Sequence, residues 1–384
     1  MCSPQINRPI YLDHAATSWP KPEEVGRELA RALVDVTANA GRSGHRAALA
    51  SARMVFETRR RLAELLGAGN EQHVVFTRGC TEGLNLVLKG WLKPGDRVLV
   101  SPMEHNSLMR PLIGLARHRG ISWEPLPADP FGRIDLEHAR RAAKGKPAAL
   151  LAVAHASNVN GAVQDLAALR EAFPATPILV DAAQTAGVLP IAIDQHRLDF
   201  LACSVHKGLL GPTGLGVCYL DPRHDVAPLV EGGTGSRSES LEHPDFSPDR
   251  YEAGTLNLHG IAGTYGALLG VDRRGLLADL KRRLVQILIE GLDKIPGVRV
   301  HSPQDGSALC VALTVSGLRP DEVAVRLERD YQVLCRPGLH CAPAAHRHLG
   351  TFPQGTVRLS PGWGNTDEDV DVVLRGMHAV AKSA

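Results

Sequence analysis

The sequence predicts an α/β protein: a large domain built on a mainly parallel sheet flanked by helices, and a smaller C-terminal α+β domain. Two observations favour this class. Between about residues 70 and 220, short aliphatic runs alternate with segments of helix length. These runs are apolar throughout and do not alternate with polar residues. Continuous apolar strands separated by helices are typical of a parallel sheet covered on both faces.

The predicted strands of the large sheet follow one another in chain order. They are HVVFT (73–77), RVLVSP (97–102), AALLAVAH (148–155), PILVDA (177–182), FLACS (200–204) and GVCYL (216–220). TEGLNLVLKGWL and NSLMRPLIGLARHRG have the length of helices and lie between strands. Residues 231–250 are rich in Gly, Ser, Pro and acidic side chains, which predicts a long surface loop.

The C-terminal part predicts the smaller domain. One strongly helical stretch covers 260–295 and ends at Pro296-Gly297. After it, ALCVALTVSG and GTVRLSP read as strands, while PDEVAVRLERDY and DEDVDVVLRGMHAVAKS read as helices. We predict a large domain over residues 1–255 and a small domain over 256–384, and we expect the N-terminal segment to pack with the small domain.

Composition excludes several function classes. The 384 residues carry a formal net charge of +2 with 44% hydrophobic and 22% charged residues, and no basic run suggests nucleic-acid binding. No apolar run reaches the roughly 18–20 residues that span a bilayer, and no apolar signal-peptide region opens the sequence. The seven cysteines are scattered, which favours reduced thiols, so a cytoplasmic location is expected.

Polar side chains follow the ends of the predicted parallel strands. In such a sheet all carboxyl ends open on one side, and ligands bind there. The residues delivered to this edge are Cys80, Thr81, His105, Asn158, Asp181, Gln184, Ser204, His206 and Lys207. Taken singly, each has a plain structural explanation, such as a helix cap or a solvated surface group. Together they suit one ligand.

Their chemistry points to pyridoxal phosphate. Thr81 and the amides around Cys80 open a helix, where an anion binds, and Ser204 and His206 add donors to a phosphate. An aspartate can keep a ring nitrogen protonated, and a histidine ring can stack on another ring. Lys207 follows an apolar strand, where burial favours the neutral, nucleophilic amine that forms a Schiff base.

The sequence also resembles a known family over nearly its whole length. The class V aminotransferase group of pyridoxal-phosphate fold type I enzymes is the match, specifically its cysteine desulfurase and selenocysteine lyase branch. The motifs that carry the resemblance are YLDHAATSWPKP, TRGCTEGLNLV, MEHNS, HASNVNGAV, DAAQTAG, SVHKGLLGPTGLGVCYL, YEAGTLN, RPGLHCAP and VRLSPGWGNTDEDVD.

The resemblance implies a role for each matching residue. Lys207 would hold the cofactor, Asp181 would pair with the ring nitrogen, Gln184 would bind the ring hydroxyl and His105 would stack on the ring. The phosphate would lie against Thr81, Ser204 and His206, with Cys80 beside them. Thr255 would reach the phosphate site of the partner subunit in a homodimer. Arg358 would clamp the substrate carboxylate, with Asn158 close by.

The implied reaction removes sulfur from L-cysteine and leaves L-alanine. The sulfur would move to Cys341 as a persulfide and then to an acceptor protein, as in sulfur mobilisation for iron–sulfur cluster assembly. The sequence departs from the family pattern at Cys80, where a threonine is usual, and at Leu256, where a proline is usual. Pro337 and Leu339 also replace a threonine and a histidine of the cysteine loop.

Cys341 is the cysteine best suited to act as a nucleophile. It lies in RPGLHCAP, where one glycine and two prolines predict an irregular, accessible loop. The adjacent His340 and an electropositive pocket are expected to favour its thiolate. Cys80, Cys203, Cys218 and Cys310 lie in or beside apolar runs, where a cysteine packs as a small hydrophobe. Cys2 and Cys335 complete the set.

Three alternatives stay open on the sequence. One is another class V reaction on a small amino acid: selenocysteine lysis, β-elimination, racemisation or transamination. A second is a zinc-binding module that uses Cys335, Cys341, His346 and His348, although their spacing matches no common zinc pattern. A third is a cofactor-binding scaffold that has lost its chemistry, which the presence of Lys207 disfavours.

Overall fold

The structure, a computed structural model, describes residues 8–36, 38–41, 43–143, 147–275 and 277–383. Its helices are α1 (Glu23–Arg31), α2 (Arg46–Leu66), α3 (Cys80–Trp91), α4 (Asn106–Arg119), α5 (Leu136–Ala143), α6 (Leu166–Ala172), α7 (Leu258–Arg274), α8 (Ala278–Leu292), α9 (Pro320–Tyr331), α10 (Pro343–His348) and α11 (Asp367–Lys382). A π-helical turn, Ala32–Val36, extends α1, and a 3₁₀ turn, Glu71–His73, precedes the second strand.

Three sheets contain the strands. In chain order these are β1 (Ile10–Tyr11), β2 (Val74–Thr77), β3 (Arg97–Val100), β4 (Ser122–Pro125), β5 (Leu150–Ala154), β6 (Ile178–Asp181), β7 (Phe200–Ser204), β8 (Gly216–Leu220), β9 (Val298–Val300), β10 (Val311–Val315), β11 (Val333–Leu334), β12 (Arg336–Gly338) and β13 (Thr356–Leu359).

The seven-stranded sheet has the order β2-β8-β7-β6-β5-β3-β4. Strands β4, β3, β5, β6 and β7 pair in parallel, while β8 runs antiparallel to both of its neighbours, β7 and β2. The sheet is therefore mainly parallel, as the sequence predicts. All six predicted strands are present. The sequence misses β4, because Ser-Trp-Glu-Pro at the sheet edge is exposed and carries no apolar run.

A smaller four-stranded antiparallel sheet has the order β12-β13-β10-β9. Helices α8, α9 and α11 supply side chains to its core, and the β10 and β13 predictions from ALCVALTVSG and GTVRLSP are correct. The N-terminal strand β1 pairs in parallel with β11, and Ile10 and Leu12 lie in this same core. Leu258, Ile261 and Leu268 of α7 instead pack in the core of the large sheet. The division between residues 255 and 256 stays a prediction.

The helical stretch predicted over 260–295 is two helices in the structure. Helix α7 ends at Arg274, and Gly275 follows with φ of +69°, donating its amide to Val271 O at 2.8 Å. A left-handed residue after the last helical turn favours glycine, which has no Cβ to clash. The apolar periodicity continues on both sides of this glycine, so the pattern alone concealed the break.

Within the described ranges, no helix is both long enough and apolar enough to cross a membrane.

Burial of His155 makes a pH dependence of stability predictable. The ring lies just beyond β5, is 5% exposed and has Nδ1 at 3.0 Å from Thr185 Oγ1. Burial lowers the pKa of His155 to about 4, whereas an unfolded histidine titrates near 6.5. Above pH 6.5 the ring is neutral in both states, and below it the unfolded chain binds the extra proton. Because of this histidine, the free energy of unfolding should fall by about 1.4 kcal/mol for each pH unit as the pH is lowered from 6.5 to 4.

The measurement is urea unfolding at pH 7 and pH 5 of the wild type and of His155→Asn. The variant should lose less stability between the two pH values, because the buried titrating ring is gone. His138→Asn is the control, since that ring is 54% exposed. Equal pH slopes for the wild type and His155→Asn would contradict the assignment.

Candidate active site

One cavity collects nearly all the predicted site residues. It lies at the carboxyl ends of the parallel strands, where the large sheet meets the small one, and holds about 250 Å³ of water-accessible space. Its lining includes Cys80, Thr81, His105, Asn158, Asp181, Gln184, Ser204, His206, Lys207 and Arg358. Two predicted residues, Cys341 and Thr255, are not among its lining.

Lys207 reaches this cavity from the turn after β7. Burial lowers the pKa of its amine; the nearby Asp181 carboxylate opposes this shift and the guanidinium of Arg358 adds to it. A lowered pKa increases the fraction of neutral amine, which is the form that acts as a nucleophile or accepts a proton. The apolar strand β7, buried along its whole length, is what carries this amine into the interior.

Asp181 is the last residue of β6 and is buried. Its Oδ1 accepts two hydrogen bonds, from the amide of Ala183 at 2.9 Å and from the thiol of Cys80 at 3.2 Å. The short side chain is thus held on one oxygen, while the residue lines the cavity. A carboxylate in this position can accept from a protonated ring nitrogen.

His105 caps the start of α4. Its Nδ1 accepts from the amide of Ser107 at 3.1 Å and lies 2.7 Å from Ser107 Oγ. Burial lowers the pKa of His105 to about 4, so the ring is neutral at pH 7. A neutral flat ring fixed by a cap is suited to stack on another ring.

The N-terminus of α3 forms one end of the cavity. The amide of Cys80 donates to Ser204 Oγ at 2.9 Å, and Thr81 is exposed in the first turn. His206 Nδ1 lies 3.0 Å from Thr17 Oγ1, and burial lowers the pKa of His206 to about 4. A helix N-terminus flanked by hydroxyl groups is a common anion site. At the other end, Gln184 is fixed by a bond from Nε2 to Ala15 O at 3.0 Å.

Arg358 lies in β13 and is only 1% exposed. Its Nη1 donates to Asn158 O at 2.8 Å and its Nη2 pairs with Asp13. Arg336 lies opposite it on β12 and also lines the cavity. The sequence predicted Arg358 but missed Asp13 and Arg336. Both residues lie inside motifs that carry the family resemblance, YLDHAATSWPKP and RPGLHCAP. The motifs therefore marked them, but did not indicate what their side chains contact.

Asn158 ties the cavity to the cysteine loop. Its Nδ2 donates to His340 O at 2.8 Å, and the amide of Asn106 donates to Cys341 O at the same distance. These bonds hold His340 and Cys341 at φ of 49° and 56°, a left-handed conformation that costs roughly 1–2 kcal/mol for a residue with a Cβ. The loop is therefore ordered by contacts at both carbonyl groups.

Cys341 is exposed, and its Sγ lies 3.9 Å from Arg336 Nη2. His340 does not provide the positive charge that the sequence suggested. Its Nε2 lies 3.0 Å from Arg336 O in the interior, and burial lowers the pKa of His340 to about 3. The cation beside the thiol is therefore Arg336, not the neighbouring imidazole.

Thr255 lies outside this cavity. It is exposed, in a neighbouring depression that also contains Arg78, Glu82 and Asn257. Within its own subunit it is therefore not part of the residue set around Lys207.

The zinc alternative is not supported by the geometry. His346 Nδ1 lies 2.8 Å from Thr351 Oγ1, and His348 Nε2 lies 2.7 Å from Asp129 O. In the part of the chain that the structure describes, no group of three or more His, Cys, Asp and Glu side chains could hold a metal ion.

Comparison with known proteins identifies the family of the chain. The family profile described as aminotransferase class-V matches residues 10–373. The chain belongs to the class-V aminotransferase family. Membership confirms the resemblance seen in the motifs and makes the chain an enzyme.

Two relatives named as cysteine desulfurases match over almost their full length. A probable cysteine desulfurase of Pyrococcus abyssi is 33% identical, covering 99% of this chain and 96% of the relative. A cysteine desulfurase of Klebsiella pneumoniae subsp. pneumoniae is 32% identical over 97% of this chain and 93% of its own length. The apo cysteine desulfurase of Thermococcus onnurineus NA1 superposes with a TM-score of 0.91 at 33% identity, over 98% of this chain and 96% of that one. The predicted fold class is confirmed.

Proposed function

We propose that this class-V enzyme is a pyridoxal-phosphate-dependent cysteine desulfurase that converts L-cysteine to L-alanine and receives the sulfur on Cys341. The observation that carries the proposal is the position of Arg336. It lines the cavity that contains Lys207, and its Nη2 lies 3.9 Å from the Cys341 thiol. One guanidinium thus connects a site for amino-acid chemistry with an exposed nucleophile. The names of the full-length relatives support the same reaction.

The residues of the cavity fit pyridoxal phosphate. A buried amine, a carboxylate held on one oxygen, a neutral ring and a helix N-terminus beside a hydroxyl are the donors and acceptors that this cofactor needs. Lys207 would hold its aldehyde carbon, Asp181 its ring nitrogen, Gln184 its ring hydroxyl, and Thr81, Ser204 and His206 its phosphate. When bound, the cofactor supplies an electron sink for charge that develops at the substrate Cα.

The protein binds and orients the substrate through its two arginines. Arg358 is fixed by Asp13 and Asn158, so its remaining N–H groups are preorganised for the substrate carboxylate. Arg336 adds a second positive charge on the same side of the cavity. With the carboxylate held there, Lys207 takes the proton from Cα at Nζ, a role that the burial-lowered pKa of its amine favours.

Cys341 completes the reaction. Its thiolate attacks the substrate sulfur, a sulfur–sulfur bond forms, and the carbon–sulfur bond breaks with its electron pair left on Cβ. Cβ is reduced and takes a proton, so L-cysteine and the enzyme thiol yield L-alanine and an enzyme persulfide. Arg336 stabilises the attacking anion by proximity. A second thiol, on an acceptor protein or a small molecule, then removes the outer sulfur. The alternative is another class V reaction on a small amino acid, which would not need Cys341.

Thr255 supports a homodimer in which each subunit completes the other's site. It is exposed and separate from the cavity of its own subunit, so we infer that it contributes its hydroxyl to the phosphate in the partner. The Arg59–Glu252 pair, with N–O distances of 2.7 and 2.8 Å, anchors the segment that presents it.

We expect Lys207→Ala to lose the covalent attachment of the cofactor and all turnover, because Lys207 is the one lysine among the described residues that line the cavity. Borohydride treatment of the wild type with pyridoxal phosphate should label the peptide that contains Lys207, by mass spectrometry. Lys89→Ala, on the exposed face of α3, should be labelled like the wild type. Labelling of the same extent in Lys207→Ala would refute the assignment.

We expect Cys341→Ala to keep the visible absorbance of the bound cofactor and to change it on addition of L-cysteine. It should form no protein persulfide, and its release of L-alanine should fall by about a hundredfold or more because the sulfur has no acceptor. Persulfide is measured by mass spectrometry and alanine by amino-acid analysis. Cys335→Ser, on the neighbouring strand end, should behave as the wild type. Unchanged alanine release in Cys341→Ala would favour the alternative class V reactions.

A mixed dimer tests the contribution of Thr255. Lys207→Ala and Thr255→Asp should each be inactive as homodimers, the second because a carboxylate repels the phosphate. If Thr255 acts across the dimer, a hybrid of the two has one site with both natural residues and should recover about half of the wild-type activity per dimer. If Thr255 acts within its own subunit, both sites of the hybrid carry a lesion and activity stays absent. Light scattering checks that each preparation is dimeric.

A further inference from the structure

The buried thiol of Cys80 contacts the aspartate that defines the cofactor site. Its Sγ lies 3.2 Å from Asp181 Oδ1 and 3.4 Å from Ala202 O, and the side chain is 5% exposed. Nothing in the proposed reaction uses this thiol, and the family resemblance puts a threonine at its position. The contact therefore needs its own explanation.

The thiol stays protonated and donates a hydrogen bond to the carboxylate. Burial raises the pKa of Cys80 well above its usual value, and the negative charge of Asp181 raises it further. The carboxylate oxygen is both closer than the Ala202 carbonyl and the stronger acceptor, since charge strengthens a hydrogen bond. The S–H group is a weak donor, but it is the second donor to the same oxygen, after the amide of Ala183.

The backbone of the same residue contacts a second group that lines the cavity. The backbone amide of Cys80 donates to Ser204 Oγ at 2.9 Å. Ser204 belongs to the end proposed for the phosphate, and Asp181 to the end proposed for the ring nitrogen. Cys80 thus contacts one group at each end through two different atoms.

Helix α3 has little freedom to move if the thiol contact is lost. A Cβ on Gly83 would lie 3.0 Å from Ala202 Cβ, and a Cβ on Gly216 would lie 2.4 Å from Gly79 Cα. These close approaches pin the first turn of α3 against β7 and β8. A residue without a donor at position 80 would therefore leave Asp181 Oδ1 with one hydrogen-bond partner, because α3 cannot move to bring another donor to it.

We propose that Cys80 is a positioning residue for the cofactor: its thiol and the Ala183 amide hold Oδ1 of Asp181, so that the other carboxylate oxygen, Oδ2, is presented to the ring nitrogen. In the described residues no protein group donates to Oδ2, which is consistent with an oxygen kept for a ligand. The inference rests on the proposed cofactor, and it adds a specific task for the residue that departs from the family pattern.

Three variants separate a hydrogen-bonding role from a packing role. Cys80→Ala removes the donor, Cys80→Ser restores a donor of similar size, and Cys218→Ala removes an equally buried thiol of the same core without touching Asp181. The dissociation constant of pyridoxal phosphate from the apoenzyme should rise about three- to tenfold in Cys80→Ala, the effect of one modest hydrogen bond. Cys80→Ser and Cys218→Ala should stay within about twofold of the wild type. The visible absorbance of the bound cofactor should show a shifted pH midpoint in Cys80→Ala alone.

A second measurement needs no cofactor. The infrared difference spectrum of the apoenzyme, wild type minus Cys80→Ala, should contain one S–H stretching band at the low frequency of a thiol bonded to a carboxylate. In Asp181→Asn that band should move to higher frequency, because a neutral amide oxygen accepts more weakly.

The outcomes distinguish this inference from the proposed function. A wild type that binds no pyridoxal phosphate refutes the proposed function, and the infrared band then still reports whether the thiol donates to Asp181. A band that does not move in Asp181→Asn overturns the inference. So does equal cofactor affinity in Cys80→Ala and the wild type, or a loss in Cys80→Ser as large as that in Cys80→Ala.

Discussion

The rest of the site depends on one constraint: the Lys207 amine is buried near the fixed carboxylate of Asp181. The neighbouring apolar strands β6 and β7 place these two groups, since Asp181 ends β6 and Lys207 lies in the turn after β7. Burial disfavours the charged amine, and the Asp181 carboxylate limits that effect. The net effect lowers the pKa of the amine, which favours its action as a nucleophile. The Ala183 amide and the Cys80 thiol fix this carboxylate, and Arg336 and Arg358 supply positive charge to the same cavity.

The positive charge comes from the other sheet, so the cavity exists only where the two sheets meet. Arg336 and Arg358 pair across β12 and β13, and Asp13 joins them from the N-terminal segment. Two hydrogen bonds join the small sheet and the cysteine loop to Asn158, which follows β5 of the large sheet. Asn158 accepts one of these bonds and donates the other. Arg358 donates to the Asn158 backbone, while the Asn158 side chain donates to His340 O. Displacement of either sheet would therefore disturb both the carboxylate site and the cysteine loop.

Sequence patterns predicted the strands and the strand-end residues because both follow from local rules. Buried parallel strands are apolar throughout, and their carboxyl ends face one side. The contacts that cross from one sheet to the other do not follow from such rules. Asp13 with Arg358, Asn158 with His340 and Cys80 with Asp181 join residues far apart in the chain, through side-chain directions that no period encodes. His340 shows the same limit, since adjacency to Cys341 suggested a partnership, whereas its ring faces the interior.

The cysteine loop has consequences for how sulfur leaves the enzyme. Two successive residues in the left-handed region are held by hydrogen bonds to their carbonyl groups, so the loop keeps one conformation at a local energetic cost. A thiol on such a loop cannot carry sulfur far across the surface. Cys341 is, however, exposed already. Under the proposed function the acceptor must therefore come to the persulfide, and it would bind the surface around the exposed Cys341 and the half-buried Arg336. Pro337 and Leu339, which stand where the family has a threonine and a histidine, then alter the shape of that surface more than the chemistry at Lys207.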